Sequence, residues 1–362
     1  MNYKETLFFI AKSLTISLEE KNRDEIELML KTTNVDWDAV VKVSTAHYVF
    51  PALYCNLKRL DFLQYIPNEL VSWMEHITNI NRERNKQIIS QANELNNVLL
   101  ANNIRPIFLK GTGNLLADLY EDIAERMVGD IDFILSKEDY TKSITILREF
   151  GYSNASNNKY DYPNQKHYRR LQKESNIAVI EIHSGLLSIK KYTNEFNYSF
   201  VEKDNQVINE VSVLSYANKL NLSIIANQIN DSGIYYKTIL LRNAYDVFLL
   251  SKKTNAKDAV HTLDKLTNPL NFFLAACYKV FNKVESLEYN KTKKTALYLI
   301  DLNNQFTNPK ATNKRHKCIK RYLLLKSVFN FVYKSIIYKE YRIWLFDNLT
   351  SLDFYKGRLG IK

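Results

Sequence analysis

Hydrophobic residues recur at helical spacing through the first hundred positions of the chain. Between residues 69 and 100, Leu70, Trp73 and Ile77 stand three or four positions apart, with polar residues between them. This spacing is typical of an α-helix with one apolar face. Residues 1–100 are therefore predicted to form an N-terminal helical region.

The pattern changes after Asn102, where short apolar or alternating segments replace the helical period. Residues 128–135 alternate between apolar and polar positions, which is typical of a strand with one buried face. The other elements predicted here are strands at 107–109 and 177–182, helices at 114–121 and 137–149, and a polar loop at 153–165.

Helical periodicity resumes after Val213, with helices predicted at 214–229, 236–252 and 269–283. The sequence therefore predicts an α+β fold in which a small mixed sheet between residues 104 and 185 is flanked by helices. The predicted organisation is an N-terminal helical region (1–100), a mixed core (101–212) and a C-terminal helical region (213–362).

Composition changes this picture in two places. The 362 residues include only 8 glycines, and Gly111, Gly113 and Gly129 lie close together, which favours a close backbone approach there. The formal net charge is +11. Residues 310–345 contain ten Lys and Arg against the single acid Glu340, so +9 of that charge lies in one segment.

The basic segment 310–345 leaves three interpretations open. It could be a packed helix with a solvated basic face, a site for RNA or another polyanion, or a helix that contacts a membrane surface. Its aromatic residues, such as Tyr322 and Phe329, could stack on bases or fill a core.

The three cysteines, Cys55, Cys277 and Cys318, are scattered, which argues for a reducing compartment and against a structural zinc site. No segment resembles a signal peptide, and no apolar run is long enough to span a membrane. A cytoplasmic location is expected.

Carboxylates on two predicted strands are the candidate metal ligands. Asp130 and Asp132 are two positions apart on strand 128–135, so their side chains share a face. Glu181 supplies a third acid from strand 177–182, whereas Glu174 is a weaker choice because it lies in a polar turn. Adjacent carboxylates repel unless a cation lies between them, and oxygen ligands suit Mg²⁺ or Mn²⁺.

A second cluster of candidates lies between the strand at 107–109 and the following helix. Backbone N–H groups of Lys110, Gly111 and Thr112 could hold a phosphate at the start of that helix. Lys110 and Arg126 add positive charge beside this turn and the acidic pair. These groups together are those required by metal-dependent phosphoryl or nucleotidyl transfer.

The run FLKGTGNLL, an arginine shortly before GDIDFIL, and the later IEIH resemble the polymerase-β-type nucleotidyltransferase superfamily. Within it, the chain resembles a large family of uncharacterised bacterial nucleotidyltransferases. The flanks VDWDAVVKVSTAHYVFPALY and KTILLRNAYDVFLL are similar to that family as well. The likeness covers about residues 30–250.

This resemblance implies a small nucleotidyltransferase sheet and a role for each candidate residue. Gly111 and Thr112 would form the nucleotide-binding turn, and Lys110 and Arg126 would contact the triphosphate of an NTP. The acids Asp130, Asp132 and Glu181 would be the catalytic, metal-binding residues.

The expected reaction is transfer of a nucleoside monophosphate from an NTP to an acceptor hydroxyl, with release of pyrophosphate. The acceptor stays open between a sugar or other small molecule, a protein side chain and an RNA end. The alternatives are a toxin-like transferase that modifies tRNA and a catalytically inactive nucleotide-binding scaffold. Whether His183 and Asp246 line the site also stays open.

Overall fold

Helices precede and follow a mixed sheet in the computed structural model of the chain, which describes residues 1–155 and 166–349. This order confirms the predicted α+β fold. The N-terminal helices are α1 Tyr3–Ser13, α2 Glu20–Thr32, α3 Trp37–Ala46, α4 Phe50–Arg59 and α5 Asn68–Leu100. The long helix α5 matches the predicted helix at 69–100 and packs beside the sheet.

The sheet contains seven strands in the order β3-β4-β5-β2-β1-β7-β6. They are β1 Ile107–Phe108, β2 Asp130–Ile134, β3 Ser153–Asn154, β4 Leu171–Gln172, β5 Val179–His183, β6 Gln206–Ile208 and β7 Val211–Val213. The pairs β2–β5 and β1–β7 are parallel, and the other pairs are antiparallel. The strands β1, β2 and β5 fall where the sequence predicted them.

Three short helices accompany the sheet: α6 Lys110–Leu115, α7 Lys137–Glu149 and α8 Tyr198–Val201. The bounds of α7 equal the prediction. The predicted helix 114–121 is wrong beyond Leu115, because Asp118 has a left-handed φ of 48° that an α-helix does not accommodate.

The predicted extent of the sheet is also wrong. The hairpin β6–β7 adds two strands beyond residue 185 and covers the edge of β1. Within the predicted polar loop 153–165, residues 153–154 form β3, and residues 156–165 lie outside the described residues.

The C-terminal helices are α9 Tyr216–Ile225, α10 Gly233–Tyr236, α11 Leu241–Ser251, α12 Ala256–His261, α13 Thr267–Val280, α14 Lys293–Thr307, α15 Pro309–Ile337 and α16 Lys339–Leu349. A π-helical turn, Ala226–Asn230, extends α9. Helices α15 and α16 contain most of the basic segment, and residues 350–362 of the predicted C-terminal region lie outside the described part of the chain.

One face of the central strands builds the main core. Ile131 and Phe133 of β2 and Ile180 and Ile182 of β5 are fully buried. Phe331, Tyr341 and Trp344 form a separate small cluster between α15 and α16. Among the described helices, none is both long and apolar enough to cross a membrane.

Candidate functional site

The acidic residues meet on the face of the sheet opposite this core. Strands β2 and β5 are parallel and in register, with Asp132 opposite Glu181 and Ile134 opposite His183. Because side chains alternate along a strand, Asp130, Asp132 and Glu181 all point to the same face. The structure thus brings the three predicted acids together, whereas the side chain of Glu174 is exposed beyond the end of β4.

Lys110 places its ammonium group between two of these carboxylates. Its Nζ lies 2.6 Å from Asp132 Oδ1 and 3.8 Å from Glu181 Oε2. The N–H of Leu109 donates to the carbonyl oxygen of Asp132 at 2.9 Å, which fixes the start of α6 against β2. Lys110 has a left-handed φ of 50°, a conformation that concentrates at functional sites in residues other than glycine.

His183 contacts the acids from the end of β5. Its Nε2 lies 2.7 Å from Asp132 Oδ1 and 3.6 Å from Glu181 Oε2, and its Nδ1 lies 3.3 Å from the carbonyl oxygen of Gly185. A carboxylate and a carbonyl oxygen only accept hydrogen bonds, so this arrangement suits a ring protonated on both nitrogens. His183 therefore lines the site.

Arg170 is a site residue that the sequence did not predict. It precedes β4, where the antiparallel pairing of Leu171 with Ile180 places it across from Glu181. Its Nε donates to Glu181 Oε1 at 2.7 Å, and its Nη2 lies 3.4 Å from Asp130 Oδ2. The position lacks the alternating pattern that revealed β2 and β5, since β4 has only two residues.

These contacts shift the pKa values of the carboxylates in opposite directions. Burial raises the pKa of Asp130 to about 6, and the charges of Asp132 and Glu181 add to that rise. Burial also favours the neutral form of Asp132, but Lys110 and His183 outweigh it and hold the pKa below its ordinary value. Of these two carboxylates, Asp130 thus keeps a raised pKa despite the neighbouring cations.

The pKa values of the two cationic partners, His183 and Lys110, are both raised. Burial alone would lower the pKa of His183, but its hydrogen bonds to Asp132 and Glu181 raise the pKa above the ordinary value. Burial likewise opposes the charged form of Lys110, and Asp132 outweighs it, so the pKa of this lysine is raised. The neighbouring acids thus favour the charged form of both groups.

The donor set could hold a metal ion. Carboxylate oxygens of Asp132 and Glu181 and a ring nitrogen of His183 all lie within 4.8 Å of one another, and the three residues are buried. The carboxylates are the ligands available as they stand, because the His183 ring would have to lose a proton before it could bind a metal. Asp130, the remaining member of the predicted set, lies on the same face. Burial first, and then the charges of Asp132 and Glu181, disfavour the ionised form of Asp130, and a divalent cation beside these oxygen ligands would favour it.

Gly111 and Gly113 let the turn at the start of α6 approach its neighbours. A Cβ on Gly111 would lie 2.9 Å from Val128 Cγ2, and one on Gly113 would lie 2.6 Å from the carbonyl oxygen of Phe108. Thr112 is fully buried, and its Oγ1 donates to the carbonyl oxygen of Asp130 at 3.0 Å. The hydroxyl of Thr112 thus ties the turn to the acidic strand.

Arg126 lies below this turn in a buried ion pair. Its Nε lies 3.1 Å from both carboxylate oxygens of Asp246 on α11, and the hydroxyl of Tyr120 donates to Asp246 at 2.7 Å. The Nη2 of Arg126 lies 3.7 Å from the position that a Cβ of Gly111 would take. Asp246 therefore holds the arginine beneath the turn.

The neighbouring residue Glu125 forms a matching network. Its carboxylate accepts from Arg59 of α4 and from the hydroxyl of Tyr245 on α11, both at 2.6 Å. The carboxylates of Glu125 and Asp246, both buried, thus connect residues 125–126 to residues 245–246 of α11. Helices α4 and α11, which are distant from β2 along the chain, therefore hold the segment that precedes β2 in place.

One family of known proteins matches most of this chain. A model of a family described as uncharacterised nucleotidyltransferases matches residues 33–283, more than two-thirds of the chain. A crystal structure described as a candidate nucleotidyltransferase from H. pylori aligns with 15% identity over 63% of this chain and 96% of its own, at a TM-score of 0.30. JHP933 from Helicobacter pylori aligns with 14% identity over 67% of this chain and 97% of its own, also at 0.30. A search of curated proteins found no match.

Proposed function

The chain belongs to the family of uncharacterised nucleotidyltransferases, and we propose that it moves a nucleoside monophosphate from an NTP to an acceptor hydroxyl and releases pyrophosphate. The observation that carries the proposal is the register of β2 and β5, which aligns Asp132 with Glu181 beside Asp130. The catalytic part would be the mixed core 101–212, supported by the helical regions 1–100 and 213–362.

Asp130, Asp132 and Glu181 would hold divalent cations, Mg²⁺ or Mn²⁺. When bound, such ions neutralise the triphosphate and stabilise the attacking and leaving oxygens. His183 would orient the carboxylate of Asp132, because its Nε2 already donates to Oδ1 at 2.7 Å. We therefore assign His183 a positioning role.

The nucleotide would bind above the start of α6. The first N–H groups of a helix have no acceptor within that helix, so those of Gly111 and Thr112 are suited to phosphate oxygens. The ammonium group of Lys110 would contact the triphosphate while it remains beside the carboxylates. Arg126 would add positive charge from beneath Gly111, where Asp246 fixes its guanidinium group.

The bond changes of the proposed reaction balance without a further reactant. The acceptor oxygen attacks the α-phosphorus in line and forms a new O–P bond. The bond from the α-phosphorus to the bridging oxygen breaks, and pyrophosphate leaves with that electron pair. The hydroxyl proton passes to a carboxylate of the site or to solvent.

The proposal is tested by incubating the protein with each α-labelled NTP, MgCl₂ and cell extract. We expect label in an RNA, protein or small-molecule fraction, and none with Asp132→Ala. Glu138→Ala, which removes an exposed acid on the neighbouring helix α7, is the matched control. Wild-type protein that transfers no label while its melting temperature still rises with MgCl₂ and NTP would instead be a nucleotide-binding scaffold.

A further inference from the structure

A cleft of about 890 Å³ lies between α15 and the body of the protein. Residues from the stretches 188–192 and 229–237 line one wall, and one side of α15 lines the other. Among the described residues that line this cleft, none is acidic and four are lysines: Lys191, Lys237, Lys326 and Lys334. Its charge therefore suits an anionic ligand.

The chain runs from the end of β5 into one wall of the cleft within a few residues. Ser188 follows β5 by five residues, and its N–H donates to Asn230 Oδ1 at 2.9 Å across one wall. Asn230 also donates through its Nδ2 to the carbonyl oxygen of Leu186 at 3.1 Å. This wall is thus held directly beyond His183, the last residue of β5, whose ring contacts Asp132.

Two of these lysines lie beside aromatic rings of the wall. Lys191 Nζ lies 4.5 Å from the ring centroid of Tyr192, and Lys326 Nζ lies 5.6 Å from that of Tyr235. Lys326 and Lys334 are eight residues apart on one helix, about 12 Å along its axis. Proteins that bind single strands combine such a positive groove with aromatic rings on which bases stack.

We propose that this cleft binds a single-stranded nucleic acid whose terminal hydroxyl is the acceptor of the transferase. The inference rests on the proposed function for the identity of the reaction, but its binding half stands on the cleft alone. Contact with a polyanion is then expected at one side of α15, together with Lys191 and Lys237 of the body, and not along the whole segment 310–345.

Binding is measured first, by fluorescence anisotropy of a labelled oligoribonucleotide and its deoxyribose counterpart over a salt series. The cleft variant is Lys191→Gln, Lys326→Gln and Lys334→Gln. The comparison variant removes three exposed lysines of the same helix outside the cleft: Lys314→Gln, Lys317→Gln and Lys320→Gln.

Each phosphate of a single strand that a protein neutralises contributes about 0.7 to the slope of log affinity against log salt. Removing three phosphate-binding lysines should therefore reduce the slope of the cleft variant by about 2, and that of the comparison variant much less. Because Lys334 also contacts Tyr341 of α16, the double variant Lys191→Gln/Lys326→Gln serves where the triple variant misfolds. Its slope should fall by about 1.4.

A base-stacking role of Tyr235 makes a separate prediction. Tyr235→Leu should weaken binding roughly tenfold without changing the salt slope, because it removes a ring and no charge. An equal loss for inorganic polyphosphate would overturn the stacking argument. Equal salt slopes in the cleft and comparison variants, or no binding of either oligonucleotide at low salt, would overturn the cleft itself.

Label transfer then separates this inference from the proposed function. Transfer of labelled nucleotide to the bound oligonucleotide supports both. Transfer to another fraction of cell extract, with none to the oligonucleotide, overturns the acceptor and leaves the proposed function standing. Binding in the cleft with no transfer to any fraction overturns the reaction and retains the nucleic-acid site.

Discussion

Asp246→Asn should leave a buried arginine without its counter-charge. The side chains of Arg126 and Asp246 are 8% and 2% exposed, and both carboxylate oxygens lie 3.1 Å from the arginine Nε. Removing one partner of a buried pair costs about 3–5 kcal/mol, because the remaining charge stays desolvated. For a chain of this length, about 4 kcal/mol corresponds to a fall in melting temperature of roughly 5 °C.

Thermal and urea unfolding measure this cost directly. The matched control is Glu83→Gln, which breaks an ion pair to Lys86 whose side chains are 62% and 57% exposed. Such surface pairs contribute about 0–1 kcal/mol. The double variant Asp246→Asn/Arg126→Gln should regain part of the loss, since it also removes the unpaired charge.

Nucleotide binding supplies the second measurement. Displacement of Arg126 should weaken the binding of ATP, GTP, CTP and UTP by similar factors, because a charge beneath the phosphate turn does not distinguish one base from another. The reasoning is refuted if Asp246→Asn costs no more than Glu83→Gln, or if the double variant shows simple additivity. A loss confined to one NTP would assign the arginine to base recognition.

Glu181→Gln should abolish most label transfer while the exposed control Glu174→Gln retains it; the reverse result would contradict the assignment of the strand face. Gly113→Ala should lower the free energy of unfolding by about 1–3 kcal/mol in urea, because its Cβ would meet a backbone carbonyl oxygen at 2.6 Å. Gly129→Ala, which has open space around it, should cost far less, and equal costs would contradict the packing argument. Burial lowers the pKa of His47 to about 4, below the ordinary 6.5, so the unfolded chain binds the proton more readily. Between pH 7 and pH 5 this residue should remove about 2 kcal/mol of stability, and His47→Asn should show a correspondingly flatter dependence on pH in urea unfolding.

The acidic face was predictable because it depends on local periodicity. A strand's side chains alternate regardless of the rest of the fold, so Asp130 and Asp132 had to share a face. The IAVIEI run placed Glu181 on a second strand, and the structure sets it opposite Asp132. Assignment of metal and nucleotide to these residues stays a prediction.

Residues fixed by pairing across the sheet were not predictable in the same way. Arg170 reaches Glu181 only because β4 pairs antiparallel with β5, and a two-residue strand leaves no pattern in the sequence. The hairpin β6–β7 has three residues per strand and was missed for the same reason. The predicted helix 114–121 followed apolar spacing that Asp118 interrupts with a left-handed φ.

The buried networks explain why the site depends on helices outside the sheet. The counter-charges of the buried residues Glu125 and Arg126 lie on α4 and α11 and not in the sheet. Leaving either charge unpaired would cost several kcal/mol, which is a large fraction of a domain's stability. The match to the family, from residue 33 to residue 283, includes α4 and α11 as well as the sheet. The sheet and the helices that supply these counter-charges therefore form one structural unit.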